Sequence, residues 1–376
     1  MGFFLNKGFA AILTVVVTTP VELIPPSLRN SFKQKEKSGI RRFFVMLGCA
    51  LLCGVVLGTI VFSFPVLLAL NIEWEQNRVP SAAVEQFPVT VDPRNKSIVE
   101  NAQVNAFFES TYSPLQAAAG NVQTVVGRVF EWIALSVAAV PHYQNIAGAN
   151  ARFVTIEPGM RKEQVTNAFA HTLAWSGNQK KEFMTPAADA SLPLSEGSYA
   201  PGVYPVTMGT TPDIAQGLVN ERFYKNVISH YGTTTAAIVP LNQALTIASL
   251  IEREAGGPDD MRIISGIIWN RLFINMNLQI DATLQYAKAN SIKNGSWWPR
   301  IAPADRFRAS PYNTYLHPGL PPTPISNPSV ASILAALNPK KTSCLFYFHD
   351  ALEGFHCTDT YAQHVALLKK YYGQGK

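Results

Sequence analysis

The sequence predicts an α+β fold displayed beyond a single N-terminal membrane span, and three observations predict it. Positions 43–70 contain no charged residue, a run long enough to cross a bilayer with some tilt. Helix start and stop signals recur between 212 and 273, with Asp213 in a first turn and Gly256, Gly257 and Pro258 breaking the pattern. Strand signals are set apart from the helices: FVTI at 153–156, a short run at 278–283 and a hairpin at 344–358.

The span comes first. Arg29, Lys33, Lys35, Lys37, Arg41 and Arg42 precede it against the single acid Glu36, and Glu73 and Glu75 follow it. This asymmetry predicts a cytoplasmic N-terminus (residues 1–42) and an extracytoplasmic remainder. A buried core helix would need a large surrounding domain that the N-terminal part does not supply. Residues 8–20 are apolar but short, end in Pro20 and lie between Lys7 and Glu22. They read as a signal-like or membrane-surface segment, and 43–70 as an uncleaved anchor. Most of the net charge of +6 sits in the basic cluster, where it suits anionic lipid headgroups and is no sign of nucleic-acid binding. With 47% hydrophobic and 15% charged residues, the chain is not a disordered one.

Beyond the span, 71–150 is poorly punctuated. Residues 85–91 suit a short strand and 122–140 a strongly apolar helix interrupted by Arg128 and Glu131. From Arg152 the reading sharpens: a strand, an EPG turn and an amphipathic helix over 161–173. Residues 212–231 and 241–255 read as helices, and Asp259 and Asp260 open the next, their charge suited to its positive end. A helix at 329–337 and a last helix flank the hairpin. Cys49 and Cys53 lie one turn apart within the span, as small apolar packers. Cys344 and Cys357 flank the hairpin, which would bring them near each other; a disulfide and two buried thiols are both open readings. No Cys/His spacing has the form of a zinc site.

Residues 310–328 read SPYNTYLHPGLPPTPISNP. Such a segment is too rich in Pro and Gly for a helix or inner strand, yet its prolines make it rigid enough to hold Tyr312, Asn313, Tyr315 and Asn327 at defined places. A plain crossover between helices is the bland alternative. Upstream, Glu252 and Glu254 are the only acids of an otherwise apolar and small-residue helix. Two positions apart on a helix point about 200° from each other, so the two cannot act on one substrate atom together. Glu252 stacks over Ala248 and Ser249, which leave room beside it, and it is the favoured acid. Gln279, Asp281 and Thr283 alternate and would share one face of a strand.

These pieces, taken in order, resemble the catalytic domain of the endolytic murein (lytic) transglycosylases, the MltG/YceG-like family. The matching segments are 248–254, Asn270 to Leu272, 278–283, 310–328, Gly354 to His356 and Thr360 to His364, and the likeness covers roughly 240–370. The family's pattern has Thr where Ala255 stands, Pro at Ala282 and often Gly at Thr323, and an aromatic residue at Thr358. None of these departures removes a proposed chemical group. The 151–206 segment resembles the family's small LysM-like domain, which leaves 207–376 as the catalytic domain.

The resemblance implies cleavage of the β-1,4 bond between N-acetylmuramic acid and N-acetylglucosamine, with Glu252 as the catalytic position. One carboxyl suffices, because the sugar's own C6 hydroxyl is the nucleophile; a hydrolase would need a second. An apolar helix face supplies the desolvation that raises a carboxyl's pKa. No metal or organic cofactor enters the scheme. Glu254, Gln279, Asp281, Thr283, Tyr312, Asn313, Tyr315, Asn327 and His356 are the expected substrate-binding residues, with Asp281 alternatively a helix cap. Trp297 and Trp298 are a further candidate stacking platform. The implied partners are peptidoglycan strands, the membrane and peptidoglycan synthases. The rival reading is an inactive, membrane-anchored peptidoglycan-binding scaffold of the same fold. A pyridoxal-phosphate lyase is excluded by the want of a phosphate cup in an extracytoplasmic domain.

Overall fold

The computed structural model describes residues 47–48, 51–52, 86–112, 151–185, 194–291 and 295–373. The chain divides into two compact units, 1–65 and 66–376. In the first, Leu47, Leu51 and Leu52 are helical and exposed. Among the described residues no helix is long and apolar enough to cross a membrane. The span expected at 43–70 lies, but for positions 47, 48, 51 and 52, outside the described residues, as does the apolar helix expected at 122–140.

The second unit is α+β, built on two cores. It opens with β1 (Val91–Asp92) paired to β2 (Ser97–Ile98) and with α1 (Ala102–Tyr112); 86–90, expected as strand, is irregular. There follow β3 (Ala151–Ile156), α2 (Lys162–Leu173), α3 (Gly177–Met184) and β4 (Gly202–Thr207). β3 and β4 are antiparallel, with Val154 opposite Tyr204, so this stretch is a βααβ unit. Its strands alternate: Val154, Ile156, Tyr204 and Val206 face inward against Val165 and Phe169 of α2 and Phe183 of α3. Ser176 and Gln179 cap α3 reciprocally. Rings at 5.1–5.7 Å, Phe169 with Phe183 and with Trp175, fill the centre.

α4 (Pro212–Asn226) joins the cores. Ala215 and Val219 complete the first, whereas Phe223 and Val227, just beyond the helix end, belong to the second. α5 (Thr233–Ile238) leads into α6 (Leu241–Glu254), in which residues 244–251 are all buried. α7 (Pro258–Phe273), α8 (Asp281–Ser291) and α9 (Val330–Leu337) pack around it. Trp269 of α7 is fully buried and its indole N–H donates to Ala336 O at 2.9 Å, meeting the need of a buried polar group. Gly266 on the same helix is required by close approach, since a Cβ there would lie 2.3 Å from Lys340 O. The chain ends in the hairpin β5 (Phe346–His349) and β6 (Phe355–Thr358), followed by α10 (Tyr361–Tyr372). Cys344 and Cys357 form a disulfide beside this hairpin, which settles the open alternative.

One expected element is corrected. The strand at 278–283 is absent: Gln279 has left-handed φ (+50°) and α8 starts at Asp281. The reason is a distant contact, for the backbone around Ile280 is already committed to the Pro-rich loop. Gln279 N donates to Thr314 O (3.0 Å) and Ile280 N to the Thr314 hydroxyl (3.0 Å). Gln279, Asp281 and Thr283 therefore do not share a face, and Thr283 is buried.

The cores meet at Asn327. Its Oδ1 accepts from Gly197 N (3.0 Å) and Tyr199 N (2.9 Å), its Nδ2 donates to Met160 O (2.9 Å), and its backbone bonds Gly159 and Met160. Glu196 lies beside it, accepting from Lys162 N at 2.9 Å. Burial, and secondarily the charge of Glu163, push the Glu196 carboxyl from an ordinary 4.5 up to about 8. The native state thus keeps a proton that the unfolded chain releases near 4.5. The associated stability is complete below that pH and is lost as pH rises through about 8. Urea unfolding at pH 5 and pH 9 is expected to show wild type losing on the order of 4 kcal/mol that Glu196→Gln does not lose. Equal losses would mean that Glu196 is not protonated in the fold.

Candidate active site

The C-terminal turn of α6 sends three consecutive side chains to three different elements. Eight buried residues anchor the helix, and Gly256–Gly257 with Pro258 at the start of α7 end it. The turn is held from beyond by Asp260, whose carboxylate accepts from Gly256 N (3.0 Å) and Gly257 N (3.2 Å). Successive residues diverge by about 100°, so Glu252, Arg253 and Glu254 have different hydrogen-bond and stacking partners.

Glu252 points at the start of α9. Its Oε2 accepts from Ser329 N (2.9 Å), Ser329 Oγ (2.6 Å) and Ser332 Oγ (2.7 Å). A carboxylate at a helix N-terminus meets both unpaired N–H groups and the positive end of the dipole. Arg253 lays its guanidinium 4.0 Å over the Trp298 ring, beside Gly159, where a Cβ would lie 3.2 Å from its Nη1. Glu254 points the other way, between the start of α8 and the hairpin. Its Oε2 accepts from the Tyr347 hydroxyl at 2.8 Å, and Ala282 N approaches Oε1 at a long 3.5 Å. Burial raises the Glu254 carboxyl above the usual range; Asp281 pushes the same way, while Tyr347, Ala282 and His349 oppose.

Asp281 is exposed in the first turn of α8 and accepts from the Tyr315 hydroxyl at 2.6 Å. Burial raises the Tyr315 phenol, and that hydrogen bond raises it further, so it stays a donor. Arg306 lies 5.2 Å over the Tyr315 ring. Gln279 is exposed beside this group, its backbone anchored to the Pro-rich loop. Glu254, Asp281, Tyr315 and Tyr347 thus form one group, with Gln279 exposed beside it. One carboxyl is shielded and the other exposed, an arrangement that suits proton transfer beside a fixed negative charge.

The remaining candidates stand elsewhere. Thr283 donates to Ile280 O (2.6 Å) and shares a hydrogen bond with Thr314. Tyr312 packs on Tyr286 with centroids 4.8 Å apart and bonds Thr323. Asn313 is fully buried; its amide donates to Arg306 O and Arg308 O and accepts from Tyr315 N, which fixes the turn that presents Tyr315. Asn327 is the buried clamp between the cores. His356 is paired with Asp350 at 2.7 Å and lies against Tyr371. Trp298 carries Arg253 and donates to Gln164, and Trp297 lies over Arg161. Among the described residues no group of His, Cys, Asp and Glu is arranged to hold a metal ion. Tyr347 and His349 escaped the sequence reading. The signal for them is the alternation in FYFH, which puts both on the hairpin face opposite Phe346 and Phe348.

Residues 136–370 match the model of the YceG-like family. An endolytic murein transglycosylase of Streptococcus pneumoniae is 33% identical over 162 residues, which is 42% of this chain and 29% of that protein. An endolytic murein transglycosylase of Bacillus subtilis is 30% identical over 242 residues, or 58% of this chain and 64% of that protein. The chain thus spans less than two thirds of either relative. A crystal structure of a yceG-like protein from Listeria monocytogenes superposes with a TM-score of 0.49 at 26% identity, covering 57% of this chain and 75% of that one.

Replacing Glu252 by Ala leaves the Ser329 N–H, the Ser329 hydroxyl and the Ser332 hydroxyl without their shared acceptor. The expected loss is about 3 kcal/mol of unfolding free energy, measured by urea titration. A loss under about 0.5 kcal/mol would show that the contact contributes little.

Proposed function

Because the chain belongs to the YceG-like family, we propose that it is an endolytic lytic transglycosylase of peptidoglycan, with Glu254 as its acid. The observation that carries the assignment is the contrast between the two glutamates. Glu252 Oε2 receives three short hydrogen bonds from α9, which occupy that oxygen in holding the helix. Glu254 is shielded, has one short bond and one long one, and has its carboxyl raised by burial, the condition a general acid requires near neutral pH. This reading moves the acid from Glu252, the position that the family likeness and the neighbouring small residues favour in the sequence, by one half-turn.

In the proposed reaction Glu254 first protonates the glycosidic oxygen between N-acetylmuramic acid and N-acetylglucosamine. The bond breaks with positive charge developing on the muramyl C1 and ring oxygen. Asp281, aimed by Tyr315, lies near enough for its charge to act on Glu254 and offers negative charge to that state. Glu254, now a carboxylate, takes the proton of the C6 hydroxyl as its oxygen attacks C1. The product is a 1,6-anhydro end, and the acid is regenerated. Gln279 and Tyr315 are the proposed first contacts with the glycan. The further parts of the proposal are that 43–70 anchors the chain with its N-terminus cytoplasmic, that the βααβ unit at 151–206 is LysM-like and binds glycan, and that cleavage of nascent strands beside synthases ends their elongation.

The test is mass spectrometry of purified peptidoglycan incubated with the protein. Wild type is expected to release anhydro-ended fragments. Glu254→Gln is expected to release them at least about 10²-fold more slowly while folding normally. Reducing ends would point instead to hydrolysis with a second carboxyl. Full activity in Glu254→Gln would return the acid to Glu252, and a folded wild type that cleaves nothing would favour the scaffold reading.

A further inference from the structure

We infer that Tyr347 is a positioning residue of this site: its hydroxyl occupies Oε2 of Glu254 and leaves Oε1 as the oxygen that gives and receives the proton. The inference rests on the reading of Glu254 as the acid and deepens it.

The geometry comes from a strand with two occupied faces. Phe346 and Phe348 pack toward α10, with Phe346 5.7 Å from Tyr361 and 5.6 Å from His364, and Phe348 5.9 Å from Tyr371 and Tyr372. Alternation then turns Tyr347 and His349 to the opposite side, against the end of α6. Tyr347 donates to Glu254 Oε2 at 2.8 Å. His349 Nε2 lies 2.6 Å from Asp260 Oδ2, and Asp260 in turn accepts from the two backbone N–H groups that follow the helix. One strand therefore holds Glu254 twice, by its carboxyl and by the chain immediately after it.

The hairpin that carries these residues is closed at both ends. Tyr347 is in register with Cys357, the partner of Cys344 in the disulfide, so the covalent staple lies at Tyr347's own rung of the ladder. At the tip, Asp350 N donates to Gly354 O (2.9 Å) and Asp350 pairs with His356 (2.7 Å). This pairing gives His356 a place in the site's architecture at one remove, through the hairpin.

The proton bookkeeping follows. A carboxylic acid carries its hydrogen on one oxygen; with Tyr347 donating to Oε2, that hydrogen sits on Oε1. Among the described residues Oε1 has only the long contact from Ala282 N, which leaves it as the oxygen to meet a glycosidic oxygen. When the proton leaves, the charge on the carboxylate strengthens the Tyr347 bond already in place. The phenol does not compete as a base, because burial and the nearby Glu254 hold it well above its ordinary range.

Two readouts on the full chain test this. With ¹³C-labelled glutamate, the Glu254 carboxyl signal, identified by its loss in Glu254→Gln, reports titration whether or not the protein cleaves glycan. In Tyr347→Phe its midpoint is expected to move upward, since a donor to the charged form is lost. The alkaline limb of the rate–pH profile moves with it, and kcat falls about 10- to 100-fold with KM little changed. A midpoint and limb that both stay in place would overturn the inference even if activity fell, since loss of packing alone moves neither. A shifted midpoint in a wild type that cleaves nothing would sink the proposed reaction and leave the Tyr347 contact standing. Should Tyr347→Phe not fold, the same titration on wild type with Cys344–Cys357 reduced is expected to shift in the same direction, and an unmoved midpoint there would overturn the inference.

Discussion

The last residues of the Pro-rich loop are the constraint on which the rest of the structure depends. Within a few residues the chain is tied in three directions. Ile325 N donates to the Ser249 hydroxyl of α6 at 3.0 Å; Asn327 takes the backbone of Gly197, Tyr199 and Met160 from the βααβ unit; Ser329 meets Glu252. All of this is buried or nearly so, where an unmade hydrogen bond costs about 1–3 kcal/mol. The loop has no regular secondary structure, yet its end cannot slide, because Ile325, Asn327 and Ser329 are each committed to a different element. Prolines before and after Asn327 remove N–H groups that would otherwise need partners in the same crowded space.

That fixation reaches the proposed chemistry through α6. With Glu252 bound to the start of α9 and Arg253 stacked on Trp298, the rotation of the final helical turn is determined. Glu254 then has one direction left, toward Asp281 and Tyr347. The same loop places Tyr315, since Asn313 Oδ1 accepts from Tyr315 N at 2.9 Å and Thr314 pins the chain before α8. The two glutamates, alike in chemistry and two positions apart in sequence, are made different by what lies at either side of one helix: three short hydroxyl and amide donors for Glu252, one short phenol bond and one long amide contact for Glu254. Burial that outweighs its donors is what raises the Glu254 carboxyl.

Much of the architecture was legible in the sequence. Gly256, Gly257 and Pro258 mark the break between α6 and α7 within a residue, because only chain chemistry is involved. Asp213, the strand ending at Ile156 and the hairpin at 346–358 follow from the same local rules. The failure at 278–283 has a definite cause. Alternating apolar and polar residues describe a half-buried strand, but the hydrogen bonds that would have made a ladder go to Thr314, more than thirty residues on. The asparagines misled for a related reason: Asn313 and Asn327 look like surface amides in a polar loop, and nothing local says that each is fully buried against backbone from elsewhere.

The sequence by itself determined the α+β class, most helix boundaries, the family likeness and the small set of side chains from which a site can be built. These depend on periodicity, capping and breakers, which act over a few residues. Tertiary structure alone decided that Glu252 faces the start of α9 and Glu254 the hairpin, that Tyr347 rather than His356 touches Glu254, and that Asn327 joins two cores. Those outcomes depend on burial and on hydrogen bonds between positions tens to more than a hundred residues apart. No local pattern records them, because the energy of a carboxyl is set by its surroundings and not by its neighbours in the chain.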